Sequence, residues 1–159
     1  MTMTHLPSDE VRQNVATLRL DLEGRAAGYW WLAGDWLEQV AFTASPALPE
    51  DVAQRFAEAT RSVPTSKTDL GIVRAALTHA PAISRVDKLP ADAGSGYWLR
   101  AFGATRSVAV PLHDLKGKVR AVVAIAIADT DLEDDAVAER ILTAVRKWAP
   151  WPPLSSDRI

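Results

Sequence analysis

Residues 119–128, VRAVVAIAIA, constrain this chain more than any other stretch. After Arg120 the run holds nothing but Val, Ala and Ile. It is far shorter than the ~20 residues that span a bilayer, and its β-branched residues favour a strand. Both alternating sets of side chains are apolar, so both faces need cover and the strand belongs at the centre of a sheet. Just upstream, Ser107, Val108, Ala109, Val110 and Leu112 read as a first strand. His113-Asp114-Leu115-Lys116-Gly117-Lys118 returns the chain, with Gly117 able to take the positive φ of a hairpin turn. The other segments are expected to cover the two faces of this hairpin.

The chain has 159 residues, enough for one domain, which we take as residues 1–159 with flexible tails at 1–7 and 151–159. Hydrophobic residues make up 48% and charged residues 24%, a balance that excludes a largely disordered chain. The net charge is −2 and no basic run occurs, which argues against a nucleic-acid partner. The absence of cysteine removes disulfides, thiolate metal sites and cysteine nucleophiles together, and fits a reducing, cytoplasmic location. MTMTHLPSDE lacks a basic segment followed by an apolar core, and no apolar run reaches membrane-spanning length, so neither a secretory signal nor a membrane partner is expected.

Taken in order, Ser8 suits an N-cap, and Val11, Val15, Leu18 and Leu22 form one apolar stripe on a helix ending near Gly24. Residues 28–33 and 36–43 read as strands joined by Gly34-Asp35. In the second strand Leu37, Gln39, Ala41 and Thr43 share one parity and Trp36, Glu38, Val40 and Phe42 the other, so both faces are mixed. Pro49 opens a helix that buries Val52, Phe56 and Ala59 and ends around Ser62, followed by a polar break at 64–68. Thr68 or Asp69 can cap the next helix, whose stripe is Leu70, Val73, Ala76 and Leu77 and whose last turn holds His79; Pro81 stops it. A short strand at 82–86, a surface loop at 87–96 and a short helix at 97–102 precede the hairpin. Thr130 and Glu133 match a capping box for a last helix bearing Val137, Ile141, Ala144 and Trp148, ended by Pro150. Helices and antiparallel hairpins in this order make an α+β protein.

Several of these residues carry a resemblance. Gly71-Ile72-Val73-Arg74-Ala75-Ala76-Leu77 leads into Pro81-Ala82-Ile83-Ser84-Arg85-Val86-Asp87, a helix followed by a proline and an apolar strand ending in Asp. Gly103-Ala104-Thr105-Arg106-Ser107-Val108-Ala109-Val110-Pro111-Leu112 is close to a G-x-R-S-x-x-x-V-P-L strand. With the element order, these features resemble the GAF domain family from about Ala26 to Ala128; the return strand departs mildly, since Gly117 comes early. The resemblance implies a PAS/profilin-like antiparallel sheet of five to six strands. Terminal helices would lie on one face, and short helices and loops would close over a small-molecule pocket on the other. It implies regulatory ligand binding in signal transduction. Members that reduce free methionine sulfoxide and members that hold bilins covalently need a cysteine, and cyclic-nucleotide binders carry an N-K-x-F-x-D-E-type signature; none of these is present here. The expectation is a non-enzymatic sensor that uses no cofactor and binds its ligand non-covalently.

The candidate ligand-binding residues are Tyr97 and Trp98, then Arg106, with Arg100, Asp87 and Arg85 around the same non-periodic loop. Each has a structural alternative. Trp98 can plug the space between helix and sheet, Arg106 can pair with an acidic neighbour, and Arg100 can be a solvated charge. A structural or interaction module whose pocket is filled by its own aromatics is therefore the second reading. No metal site is expected: His5, His79 and His113 lack H-x-x-x-H-type spacing, the helix-end position of His79 favours a structural role over the alternative of a haem ligand, and Asp131-Leu132-Glu133-Asp134-Asp135 lacks the alternating ligands of a calcium loop. Gly94-Ser95-Gly96 is no phosphate loop, and Ser95 and Ser107 have no triad partners nearby in sequence. The terminal stripes suit packing on the sheet, and the family resemblance adds the expectation of a homodimer through those helices. Pro150, Pro152 and Pro153 break any helical continuation towards an output domain.

Overall fold

The computed structural model describes residues 8–128 and 131–148. The two expected tails, Thr130, and Pro150, expected to end the last helix, lie outside them. The order is α1 (Ser8–Asp21), β1 (Ala26–Ala33), β2 (Trp36–Ala44), α2 (Glu50–Ala59), β3 (Ser62–Pro64), α3 (Gly71–Thr78), β4 (Ala82–Arg85), α4 (Gly94–Phe102), β5 (Arg106–His113), β6 (Val119–Ile127) and α5 (Asp134–Val145). One antiparallel sheet runs β3-β2-β1-β6-β5-β4, so the hairpin strand β6 is central. Gly117 takes φ 82°, and Asp114 Oδ1 accepts the backbone N–H groups of Lys116 and Lys118 to close the turn.

The two faces of β6 divide the core. Ala121, Val123, Ile125 and Ile127 point into a layer capped by α1 and α5. The stripes Val11, Val15, Leu18, Leu22 and Val137, Ile141 are all buried there. Val122, Ala124 and Ala126 face the opposite layer, covered by α2, α3 and α4. Each fully buried Val or Ile contributes roughly 1.5–3 kcal/mol, so both terminal helices are held mainly by this burial.

The mixed parity of β2 has a specific cause. Tyr29 pairs with Ala41, but its neighbour Trp30 pairs with Gln39, so Val40 is an extra residue. This bulge reverses the alternation. Leu37 packs with Trp30 and Val63 in one layer, while Ala41 packs in the other. Leu37 and Ala41, expected on one face, therefore lie on opposite faces.

Four boundaries also differ from expectation. Residues 62–64, expected as a helix end and polar break, pair with β2 as an edge strand. Helix α3 starts at Gly71 rather than after a Thr68 or Asp69 cap, because Ser95 from α4 supplies the acceptor: Gly71 N–H donates to Ser95 Oγ at 3.0 Å. The loop at 87–96 is shorter than expected. Val86–Lys88 forms a 3-10 turn, and Gly94, at φ 59°, starts α4. A Cβ at Gly94 would sit 2.4 Å from Asp69 O, so this close approach requires glycine. Helix α5 begins at Asp134 with Glu133 at its N-cap, so Glu133 does not occupy the third helical position that a capping box needs.

Truncating the α5 stripe should cost far more than truncating an exposed apolar residue. Ile141→Ala, at a fully buried position, is expected to lose about 2–4 kcal/mol in urea denaturation. Leu20→Ala, at a position 63% exposed, should stay within about 0.5 kcal/mol of wild type.

Candidate functional site

The second face of the sheet carries a patch of very small side chains. Ala26 pairs with Ala126, which pairs with Ser107; Gly28 pairs with Ala124, which pairs with Ala109. These two rows across β1, β6 and β5 leave room above the centre of the sheet. The room is bounded by aromatics from four elements, β1, β2, α2 and α4. Phe56 of α2 is the hub, with ring centroids at 5.1 Å from Phe42, 5.1 Å from Trp98, 5.0 Å from Phe102 and 6.4 Å from Trp30. Trp30 is anchored by its indole N–H, which donates to Thr60 O at 2.8 Å. Its ring lies across Gly28, where a Cβ would come within 2.4 Å of it.

A cavity of about 60 Å³ remains between floor and roof. Its walls include the N-terminal turn of α3 (Leu70, Gly71, Ile72) and Ser95, Trp98, Leu99 and Phe102 of α4. The polar side chains on it are Thr60, Ser95 and Ser107; among the described residues no ionisable side chain lines it. Thr60 Oγ1 donates to Phe56 O, and Ser95 Oγ accepts from Gly71 N–H. The wall is thus apolar with a few hydroxyls, suited to hold a small uncharged group.

The six expected site residues fall into three places. Trp98 lines the cavity. Tyr97 packs beside it, centroids 4.9 Å apart, but outside the lining; its hydroxyl accepts from Arg55 Nη1 at 3.0 Å across the α2–α4 seam. Arg100 ties α4 to the segment before it by donating to Val86 O at 2.7 Å and also donates within α4 to Gly96 O at 3.1 Å, while Asp87 is exposed on the 3-10 turn. Arg106 is buried and donates to Asp134 Oδ1 and Leu132 O, and Arg85 donates to Asp134 Oδ2 at 2.7 Å. These two arginines clamp the start of α5 to the sheet, away from the cavity. By sequence Phe56 is an ordinary core residue, and Ser95 and the alanine floor carry no role. The signal for the floor was available in the small residues of strands whose other face is Val and Ile.

No protein-family model matches the sequence, and no curated protein does. Solved structures do match. The GAF domain of a two-component sensor histidine kinase from Bacillus halodurans superposes with a TM-score of 0.59 at 13% identity, covering 90% of this chain and 95% of that one. The chain has the GAF-domain fold. The phycocyanobilin-bound GAF domain of a cyanobacterial phytochrome gives a TM-score of 0.57 at 16% identity, covering 86% of this chain and 80% of that one. Type II free methionine-R-sulfoxide reductase from Thermoplasma acidophilum gives 0.60 at 12% identity, with 86% of each chain covered. The GAF fold therefore houses both binding domains and an enzyme, and at these identities the likeness concerns fold alone.

The clamp makes a pH-dependent prediction. Partial burial would raise the Asp134 carboxyl, but the hydrogen bonds and charges of Arg106 and Arg85 outweigh it and hold the group below the usual carboxylate range. The stabilisation is therefore complete above the unfolded value of about 3.9 and is lost as pH falls through the lower folded value. Asp134→Asn should destabilise by about 2–4 kcal/mol at pH 7, because Arg106 is left buried without its counter-charge. In urea titrations the gap to wild type should narrow below about pH 4.

Proposed function

We propose that this protein is a GAF-type regulatory domain that binds a small molecule non-covalently in the cavity beneath α2 and α4. The observation that carries this reading is the combination of a small-residue floor, an aromatic roof and a lining that, among the described residues, holds no ionisable group. Such a wall can recognise a ligand by shape and a hydroxyl hydrogen bond. It supplies no general acid or base, which favours a sensor over an enzyme. The absence of cysteine points the same way for the thiol chemistry that reductases of this fold need. A cytoplasmic, signal-transducing role is the natural setting for such a domain; among the described residues no helix is long and apolar enough to cross a membrane.

Size limits the ligand. At about 60 Å³ the cavity is smaller than the ~150 Å³ that accommodates benzene. A ring-sized ligand therefore requires the roof to yield. Phe56 is half-buried and touches every other aromatic of the roof, so it is the plug whose displacement would open the site. The same contacts favour the second reading, a structural module whose pocket is filled by its own side chains.

A metabolite panel read by tryptophan fluorescence and thermal shift separates the two. Under the sensor reading at least one compound raises the melting temperature of wild type, and Trp98→Ala abolishes the rise. Phe56→Ala is expected to lose about 2–4 kcal/mol of stability and to gain binding of benzene or indole. A wild type that responds to nothing, beside a Phe56→Ala variant that does bind indole, would establish the filled-pocket module instead.

A homodimer through the terminal helices belongs to the same proposal. The inner stripes of α1 and α5 are buried on the sheet, so such a dimer would use the outer surfaces, where Leu20 is exposed. Light scattering after size exclusion should give twice the chain mass of 17.3 kDa; a monomer at high concentration removes this part of the reading.

A further inference from the structure

Remote from the ligand cavity, the fold brings two histidines together. His79 follows α3, and His113 ends β5, which α3 covers through the shared packing of Val73, Ala76 and Ala109. Their ring centroids lie 6.2 Å apart with the planes at 69°. His79 adopts φ 62° and ψ 24° as it closes the α3 C-terminus, its N–H donating to Ala75 O. A left-handed backbone is strained for a residue with a Cβ, and glycine is the usual occupant of this position.

The spacing approaches that of two imidazoles on one metal ion. A coordinating imidazole nitrogen sits about 2.0–2.1 Å from zinc, which puts the ring centroid about 3.2 Å from the ion. Two rings on a shared ion are then about 5.2 Å apart at a tetrahedral angle and at most about 6.4 Å apart. The observed 6.2 Å is about 1 Å wider than the tetrahedral spacing, so the two rings must close by that much to share a zinc ion. His79 is exposed and His113 half-buried, so both rings have freedom to turn their nitrogens inward. The adjacent carboxylate is already engaged: Asp114 Oδ1 accepts from the Lys116 and Lys118 amides, and Oδ2 lies 3.9 Å from Arg120 Nε. Among the described residues no group of three or more His, Cys, Asp or Glu converges, so the remaining coordination positions fall to water.

We propose that His79 and His113 form a two-imidazole, solvent-open site for a divalent transition metal of the zinc, copper or nickel class. Imidazole is a favoured ligand for all three, and hard oxygen-seeking cations have nothing to bind here. Titration of the untagged full chain with Zn²⁺ in a calorimeter should show one saturable equivalent. His113→Ala and His79→Gly should each weaken it by at least about tenfold. His79→Gly relieves the left-handed strain, so its metal-free melting temperature should not fall, and its loss of binding cannot be assigned to unfolding. His5→Ala, altering the third histidine, should leave binding unchanged. Absence of saturable binding of Zn²⁺ or of the tighter-binding Cu²⁺, or binding that persists in the His79→Gly/His113→Ala double variant, overturns the proposal.

Discussion

Two-sided burial of β6 is the constraint on which the rest of the structure depends. A strand with no polar residue after Arg120 has no solvent-facing side, so the sheet needs a helical layer on each face. The faces are not equivalent. Val123, Ile125 and Ile127 give α1 and α5 a bulky, buried surface. Ala124 and Ala126 give α2, α3 and α4 a shallow one. The same strand thus builds the anchor for the terminal helices and the floor of the cavity, and the difference rests on branched against single-methyl side chains.

The cavity is a compromise between a core and a pocket. A flat floor of Gly, Ala and Ser must be met by large side chains if the layer is to approach interior density, and the aromatics around Phe56 do most of that. They meet edge-on or tilted, the arrangement aromatic pairs prefer, and such contacts leave angular gaps. Ser95 makes the opening of α4 part of this wall. By accepting the Gly71 N–H it also ties the start of α4 to the start of α3. Movement of α2 or α4 would therefore be felt in the roof, in the α3 terminus and at the Tyr97–Arg55 contact together.

Charge plays a structural part at the other end of β5. Arg106 is buried where a ligand-binding role was anticipated, and Asp134 and the Leu132 carbonyl satisfy it. A buried guanidinium with two fixed acceptors defines where α5 starts more sharply than any local cap, and the Glu133 N-cap makes no side-chain cap bond. Arg85 and Arg100 likewise serve the chain itself, one on Asp134 and one on backbone carbonyls.

The sequence by itself determined the α+β class, the hairpin with Gly117 in its turn, the central place of β6 and the inward stripes of α1 and α5. Each is encoded by a local period or by a single residue with unusual backbone freedom, so neighbouring residues suffice to read it. Of the anticipated site, only Trp98 reached the cavity wall. Sequence proximity to the loop identified candidates, but side-chain direction separated them into wall, brace and clamp. Only the tertiary structure decided that Val40 is a bulge, that six small residues on three strands adjoin, that Ser95 caps a helix other than its own, and that His79 meets His113. These depend on strand register and helix placement. One inserted residue is enough to exchange the faces of a strand, and no local pattern records which distant residue then lies opposite.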